Sequence, residues 1–167
     1  EPQYAKTINI FGNYRTFDYV IRRELSLIEG DAIYPSQIKK IENRLKSLNL
    51  FSSVQIKEIQ LDDNLVDIEI NVEEKQTGSV NAGLALGTVD GFSVMAGLKE
   101  RNFGGTGRSI NALLNTSDGR NQYTLETTDR ILYRDNVDLS YALNYVEEDF
   151  SSASSYKVNT VSAGTGV

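Results

Sequence analysis

The most constraining feature of this sequence is a two-residue alternation of apolar with small or polar side chains, which recurs through residues 78–167. Successive side chains of a β-strand point to opposite faces, so each alternating stretch predicts a strand with one apolar face. The first stretch carries its apolar side chains at Val80, Ala82, Leu84 and Leu86. Further stretches cover residues 92–98, 110–114, 123–127 and 137–145, and a partial one begins at Tyr156. About six strands are predicted, with turns at Asp90–Gly91 and Ser117–Gly119.

Two kinds of protein fit this alternation equally well. One is an outer-membrane β-barrel, whose strands turn apolar side chains to lipid and polar ones to the lumen. The other is a soluble β-sandwich, whose apolar strand faces meet in a core. A helical membrane protein is excluded, because no run approaches the roughly 18 apolar residues that a membrane helix needs. Bacterial barrels have at least about eight strands, so we expect a barrel of this chain to be incomplete.

Residues 1–76 follow a different pattern, which predicts a separate domain. Only Gly12 and Gly30 precede Gln76, whereas eleven of the thirteen glycines follow it. Helical and strand periods also mix in this part, while the later part keeps almost throughout to the period of two. We therefore predict two domains, residues 1–76 and residues 77–167.

The predicted element order of the first domain is β-α-α-β-β, an α+β fold. A strand over residues 6–11 precedes a helix for which Thr16 is the expected N-cap, with apolar positions continuing to Leu25. Pro35 suits the first turn of the second helix. Two strands follow, although the apolar pattern of the first of them slips between Glu58 and Ile59.

Composition narrows the chemistry that this chain can perform. It contains no cysteine and no histidine, which removes disulfides, thiolate metal sites and the commonest general base. The net charge is −6, shared equally between the two predicted domains, so no basic patch indicates nucleic acid. The first residues lack the basic and apolar segments of a signal peptide, so we expect the chain to begin inside a longer protein. We predict no enzyme activity, no metal and no cofactor.

Several ordered motifs resemble one family. Residues 10–16, 20–25 and 29–31 resemble the opening of a POTRA domain, and residues 44–54 resemble its second helix and the start of its next strand. Residues 72–78 are similar to the junction at which the last POTRA domain enters the barrel of bacterial outer-membrane protein assembly factors. Residues 101–107 look like the loop between the second and third strands of that barrel. The resemblance covers nearly the whole chain.

The resemblance implies a fold, a location and a function. This chain would supply the last POTRA domain, in the periplasm, and the first strands of a transmembrane β-barrel in the outer membrane of a Gram-negative bacterium. Such proteins insert nascent β-barrel proteins into that membrane. Their expected partners are client barrels, outer-membrane lipid and the lipoproteins of the assembly complex. The resemblance also assigns lipoprotein contact to the first helix and the loop after it, through Arg22, Arg23, Glu24 and Glu29.

The first barrel strand is the expected lateral gate. In the family it pairs weakly with the last strand, so the seam opens and offers its edge to a client. An unpaired strand edge exposes amide donors and carbonyl acceptors that another strand can satisfy, and hydrocarbon offers no water in their place. Gly83 and Gly87 carry no side chain that would stiffen the packing of the strand, so we expect weaker pairing there. The hypothesis assigns the gate to residues 78–89, with Gly78, Asn81, Gly83, Leu84, Ala85 and Gly87 as its site residues.

Three alternatives remain open from the sequence. The first is a sister transporter that also carries POTRA domains and secretes a partner protein. The second is a soluble periplasmic β-rich binding module, which would bury its apolar strand faces in its own core. An enzyme is the weakest candidate, because it would need a pair of carboxylates that no spacing in the sequence announces.

Overall fold

The computed structural model describes residues 3–88, 91–131, 137–150 and 154–166. Contacts divide the chain into two compact units. The first comprises Glu1–Thr77 together with the short segment Gly104–Gly107, and the second comprises Gly78–Phe103 and Arg108–Val167.

The first unit is a four-stranded sheet with two helices. Its elements are β1 (Gln3–Phe11), α1 (Asp18–Arg22), β2 (Ala32–Ile33), α2 (Pro35–Ser47), β3 (Phe51–Asp62) and β4 (Leu65–Glu74). The strand order across the sheet is β2-β1-β4-β3, with β1 and β4 parallel and the other pairs antiparallel. The predicted order β-α-α-β-β therefore lacks β2, a two-residue strand too short to show a periodic pattern.

Hydrophobic burial explains how the helices and the sheet of this unit come together. Pro35 is the first helical residue of α2, where its missing amide proton costs no helical hydrogen bond. Ile41 and Leu45 of that helix are buried. Alternate residues of β4 are also buried, beginning with Val66 and Ile68, so the apolar face of the strand points into the same core.

One detail of the first unit differs from the predictions, and a second explains the slip in the apolar pattern. Thr16 does not cap α1: the helix begins at Asp18, after Phe17, without a side-chain cap, and the Thr16 amide instead donates to Glu74 Oε1 at 2.7 Å. Ile59 does not join the core, because the strand register pairs it with Asp67 on the face opposite to the buried residues of β4. The apolar pattern slips near Glu58 because β3 keeps its two-residue period as far as Gln60, which places Ile59 on the face opposite to Val54.

The second unit is one antiparallel sheet whose neighbours in the sheet are neighbours in sequence. Its strands are β5 (Gly78–Gly87), β6 (Gly91–Glu100), β7 (Ser109–Ser117), β8 (Arg120–Ile131), β9 (Val137–Asp149) and β10 (Lys157–Gly166). The turn expected at Ser117–Gly119 joins β7 to β8 at Asp118 and Gly119. The turn expected at Asp90–Gly91 falls partly outside the described residues, since Asp90 is not among them.

The strand register of the second unit aligns apolar side chains on one face. Paired residues of neighbouring strands share a face, so each row can be followed across the sheet. One row runs through Val80, Leu98, Ala112, Leu125, Leu143 and Ala163. The next row on this face runs through Ala82, Ala96, Leu114, Tyr123, Tyr145 and Val161. We call this the apolar face.

The opposite face, which we call the polar face, carries mostly small or polar side chains. A representative row is Asn81, Gly97, Leu113, Thr124, Asn144 and Ser162. No helix in the described parts of the chain is long and apolar enough to cross a membrane.

Candidate functional site

The predicted gate strand lies at one edge of the second sheet. β5 pairs with β6 through ten residue pairs, from Gly78 with Glu100 to Gly87 with Gly91. Among the described strands, no other strand pairs with β5, so its second row of backbone donors and acceptors faces outward. Val89, the last residue of the hypothetical gate, lies outside the described residues.

The gate residues divide between the two faces of β5. Leu84 belongs to the apolar face and is 70% exposed. Asn81, Gly83, Ala85 and Gly87 alternate with the apolar residues and so belong to the polar face, whereas Gly78 lies two residues before Val80 and so belongs to the apolar side of the strand. The strand therefore offers apolar side chains on one side and mostly small ones on the other.

One of these small side chains anchors β5 to its neighbour. Asn81 lies over Gly97 of β6, where an added Cβ would come within 2.4 Å of Asn81 Oδ1. At Gly83 an added Cβ would meet only the Met95 methyl group, at an ordinary 3.7 Å. The strand is thus packed closely at Asn81 and loosely at Gly83, as expected for an edge strand with few large side chains.

The apolar face of the second unit is open to the surroundings. Val80 is 78% exposed, Leu86 is 84% exposed and Leu143 is 54% exposed. Every buried hydrophobic side chain among the described residues belongs to the first unit. A shallow hollow of about 700 Å³ on the apolar face has Val80, Leu98 and Leu125 among its lining residues. Large exposed apolar patches are rare on water-soluble monomers, so this face is typical of a surface that contacts lipid or another apolar partner.

The polar face carries a hydrogen-bond network across its strands. Thr124 Oγ1 donates to Asn144 Oδ1 at 2.9 Å, and Gln122 Nε2 donates to the same oxygen at 3.3 Å. Asn111 Nδ2 donates to Glu126 Oε2 at 3.0 Å. These pairs connect polar side chains across neighbouring strands, and side chains of this kind are typical of a strand face that contacts water.

Two of the four predicted partner residues converge on one residue of β1. Arg22 Nη2 donates to the Ile8 carbonyl oxygen at 2.9 Å, and the Ile8 amide donates to Glu29 Oε1 at 3.3 Å. The pairing of β1 with β4 is irregular between Ala5 and Ile8, and β2 pairs only with Gln3 and Tyr4. The two charged side chains therefore cover the edge of β1 beyond the end of β2. Both residues remain exposed.

The other two predicted partner residues lie mostly inside the first unit. The Arg23 side chain is 6% exposed and that of Glu24 is 12% exposed. Arg23 Nε and Glu24 Oε1 are 3.8 Å apart, which makes them an ion pair shielded from water. The structure thus separates the four residues into an exposed pair and a buried pair.

The sequence analysis missed one residue that organises this region. The Glu74 carboxylate accepts hydrogen bonds from the amides of Arg15 at 3.0 Å and Thr16 at 2.7 Å, and so holds the loop between β1 and α1. Only its place at the end of an alternating strand could have drawn attention to it. Within the described parts of the chain, no cluster of three or more acidic side chains could hold a metal ion.

The architecture defines a class of protein: an α+β module followed by a sheet with a lipid-compatible face. Residues 3–75 match the family model described as POTRA, surface antigen variable number repeat, and they form a POTRA domain. The predicted α+β POTRA fold and the antiparallel strands after it are confirmed at this level.

Along nearly its whole length, the chain resembles the outer membrane protein assembly factor BamA. It is 31% identical over 157 residues to BamA of Neorickettsia risticii, a match that covers 93% of this chain and 21% of that protein. It is 30% identical over 167 residues to BamA of Neisseria meningitidis serogroup B, covering 96% of this chain and 21% of that protein. The family predicted from the motifs is confirmed. The chain spans about a fifth of the length of these relatives.

Solved structures agree with this resemblance. The crystal structure of BamA from Haemophilus ducreyi lacking POTRA domains 1–3 matches with a TM-score of 0.79 and 27% identity, covering 98% of this chain and 32% of that one. CdiB from Acinetobacter baumannii matches with a TM-score of 0.58 and 14% identity, covering 98% of this chain and 33% of that one. At that identity the second match shows a common fold alone.

Proposed function

We propose that this chain is part of a factor that assembles and inserts β-barrel proteins into the bacterial outer membrane. The observation that carries the proposal is the open apolar face of the second unit. A soluble β-sandwich would cover such a face with a second sheet, whereas a membrane barrel turns it to lipid. The resemblance to BamA supports the choice of an assembly factor among membrane barrels.

The division of labour between the units follows from the same resemblance. Residues 1–76 form the POTRA domain in the periplasm, and residues 77–167 form the N-terminal strands of the outer-membrane barrel. The six strands are the beginning of a longer barrel whose remaining strands lie outside this chain. The function needs no enzyme activity and no cofactor, because pairing a client strand with an open edge makes hydrogen bonds without covalent chemistry.

The lateral gate is β5, whose outward edge pairs with a client strand when the barrel opens. In hydrocarbon an unpaired edge has no water to bind, so a client strand gains more there than it would in solution. Gly83 and Gly87 offer no side chain to pack against the strand that closes the barrel, which lowers the cost of separating β5 from it.

A disulfide that locks the seam tests the gate. Ala85→Cys in the full-length parent is combined with a cysteine at the facing position of the last barrel strand. The control is Ala82→Cys with Ala96→Cys, since these residues are already paired between β5 and β6. We expect the seam disulfide to stop assembly of client barrels and the control disulfide to leave it unchanged. Full assembly activity with the seam locked would refute the gate.

Docking of a lipoprotein of the assembly complex is the proposed role of the predicted partner residues. Arg22, Arg23, Glu24 and Glu29 were assigned together, but a rigid partner can reach only exposed side chains, so the contact falls on Arg22 and Glu29. Each also covers the Ile8 backbone, so loss of charge and loss of the hydrogen bond must be separated.

Two substitutions at Glu29 separate these effects. Glu29→Gln keeps a hydrogen-bond acceptor for the Ile8 amide and removes the charge, whereas Glu29→Lys removes both. If the charge contacts the partner, both variants weaken co-purification of the lipoprotein. Normal co-purification with Glu29→Gln would show that the charge makes no contact, and normal co-purification with both would refute docking at this residue.

The runner-up function is a POTRA-containing transporter that secretes a partner protein. It shares the fold, so the separation depends on what the cell loses when the protein is depleted. A soluble binding module is the alternative of another class, and the open apolar face argues against it.

A further inference from the structure

The segment Gly104–Gly107 leaves the second unit in sequence and belongs to the first by its contacts. The Phe17 amide donates to the Gly105 carbonyl oxygen at 2.9 Å. The Tyr19 hydroxyl is 3.4 Å from the Thr106 carbonyl oxygen, to which it donates. Both donors lie at the start of α1, so the segment is attached to the beginning of that helix.

The attachment is close because the segment has little side-chain volume. A Cβ added to Gly105 would lie 2.0 Å from the Arg15 carbonyl oxygen, a distance that no real Cβ occupies. A Cβ added to Gly107 would lie 2.7 Å from a Val20 methyl carbon and 2.8 Å from Arg23 Nη2. The backbone of the segment therefore rests directly on the loop before α1 and on the helix itself.

Two adjacent arginines of this region have different surroundings. The Arg22 side chain is 44% exposed and reaches the Ile8 carbonyl oxygen. The Arg23 side chain is 6% exposed, pairs with Glu24 and ends beside Gly107. Burying a guanidinium costs free energy unless the group is paired or hydrogen-bonded. The position of the Arg23 guanidinium beside Gly107 therefore indicates a role at the segment.

We propose that Gly104–Gly107 is a docking segment of the first unit and that Arg23 is its positioning residue. The segment lies in sequence between β6 and β7, and by its contacts it belongs with α1. This assignment separates Arg23 and Glu24 from the partner contact assigned to Arg22 and Glu29.

Two glycine variants of the full-length parent, folded in lipid vesicles, test the docking. Gly104 and Gly105 both have positive φ, 60° and 78°, so alanine is strained at both positions. An added Cβ at Gly104 meets nothing within 4 Å, whereas at Gly105 it meets the Arg15 carbonyl. We expect Gly105→Ala to raise hydrogen exchange in a peptide that contains Phe17 by about tenfold or more, and Gly104→Ala to raise it much less, because local opening controls exchange.

Two arginine variants test the positioning role. Arg23→Met keeps most of the buried stem and removes the guanidinium, and we expect it to raise exchange at Phe17 while lipoprotein co-purification stays normal. Arg22→Met should weaken lipoprotein co-purification and leave exchange at Phe17 unchanged. Exchange at Ile68 in β4 serves as the control for the fold, since that residue is 1% exposed in the core.

The exchange experiments decide the inference independently of assembly activity. Equal exchange at Phe17 in Gly104→Ala and Gly105→Ala would overturn the docking, and unchanged exchange in Arg23→Met would overturn the positioning role. Raised exchange as expected supports the docking even if clients assemble normally. A failure of the proposed function would therefore appear in client assembly, whereas a failure of the docking would appear in hydrogen exchange at Phe17.

Discussion

A charge placed on the apolar face should be far more destructive than the same charge placed one residue away. Leu143 is the central residue of β9, belongs to the apolar face and is 54% exposed. Ala142 precedes it, belongs to the polar face and pairs with Glu126 of β8. Leu143→Arg and Ala142→Arg therefore introduce the same side chain at nearly the same depth on opposite faces.

The expected difference follows from the surroundings of each face. Arginine on the lipid face of a membrane barrel costs about 2–4 kcal/mol near the bilayer midplane. With about 1.4 kcal/mol for each factor of ten, this lowers the folding equilibrium roughly 30- to 700-fold. If Leu143 faced water, its substitution would change stability by about 0.5 kcal/mol or less. Ala142→Arg should cost less than about 1 kcal/mol, because an opposite charge lies directly across the strand pair.

The assay is reversible folding of the full-length parent into lipid vesicles. The folded fraction is measured by electrophoretic mobility without heating, over a range of guanidinium concentrations, and the free energy of unfolding is obtained for each variant. Equal costs for the two variants would refute the assignment of faces. A cost near zero for Leu143→Arg would show that the apolar face does not contact lipid.

Three further substitutions test the rest of the structure. Leu45→Ala, at a fully buried position of α2, should cost about 2–5 kcal/mol, read as faster hydrogen exchange throughout the first unit; a cost below 1 kcal/mol would contradict its place in the core. Glu74→Ala removes the acceptor of two loop amides and should destabilise the loop before α1 by about 1–3 kcal/mol, measured as faster hydrogen exchange at Thr16. Unchanged exchange at Thr16 would show that the carboxylate does not hold the loop. Arg120→Ala breaks an exposed ion pair across β8 and β9 and should cost less than about 1 kcal/mol in vesicle unfolding, so a larger loss would mean that the pair is shielded from water.

Local sequence patterns predicted the elements in which the spacing of apolar residues follows the face that is buried, and those that begin at a characteristic residue. β4 alternates because one face of it is buried throughout, and Pro35 marks the start of α2 because proline fits only the first turn. The apolar face of the second unit was also foreseeable, since the two-residue period places most apolar residues on one side of each strand. The two-residue period did not show whether lipid or a second sheet covers the apolar face. The structure bears on that question, because no buried hydrophobic side chain among the described residues belongs to this unit.

Long-range contacts account for what local patterns missed. Thr16 has the chemistry of an N-cap, but its amide donates to the carboxylate of Glu74, 58 residues later. The helix begins only at Asp18, without a side-chain cap. The docking of Gly104–Gly107 joins residues about 87 positions apart, as between Tyr19 and Thr106, and no periodic signal announces it. Arg23 is buried beside this segment, whereas the adjacent Arg22 is exposed. Because no local pattern distinguishes the two arginines, the sequence analysis assigned partner contact to both.

Depletion of the full-length parent in its own bacterium tests the central claim most directly. Protein levels are lowered mildly, outer membranes are isolated, and the abundance of many barrel proteins is measured together with that of secreted proteins. An assembly factor serves many clients, so we expect unrelated barrels to decline together before growth stops. Loss of a single secreted protein, with the other barrels at normal abundance, would contradict the account and assign the chain to a secretion transporter.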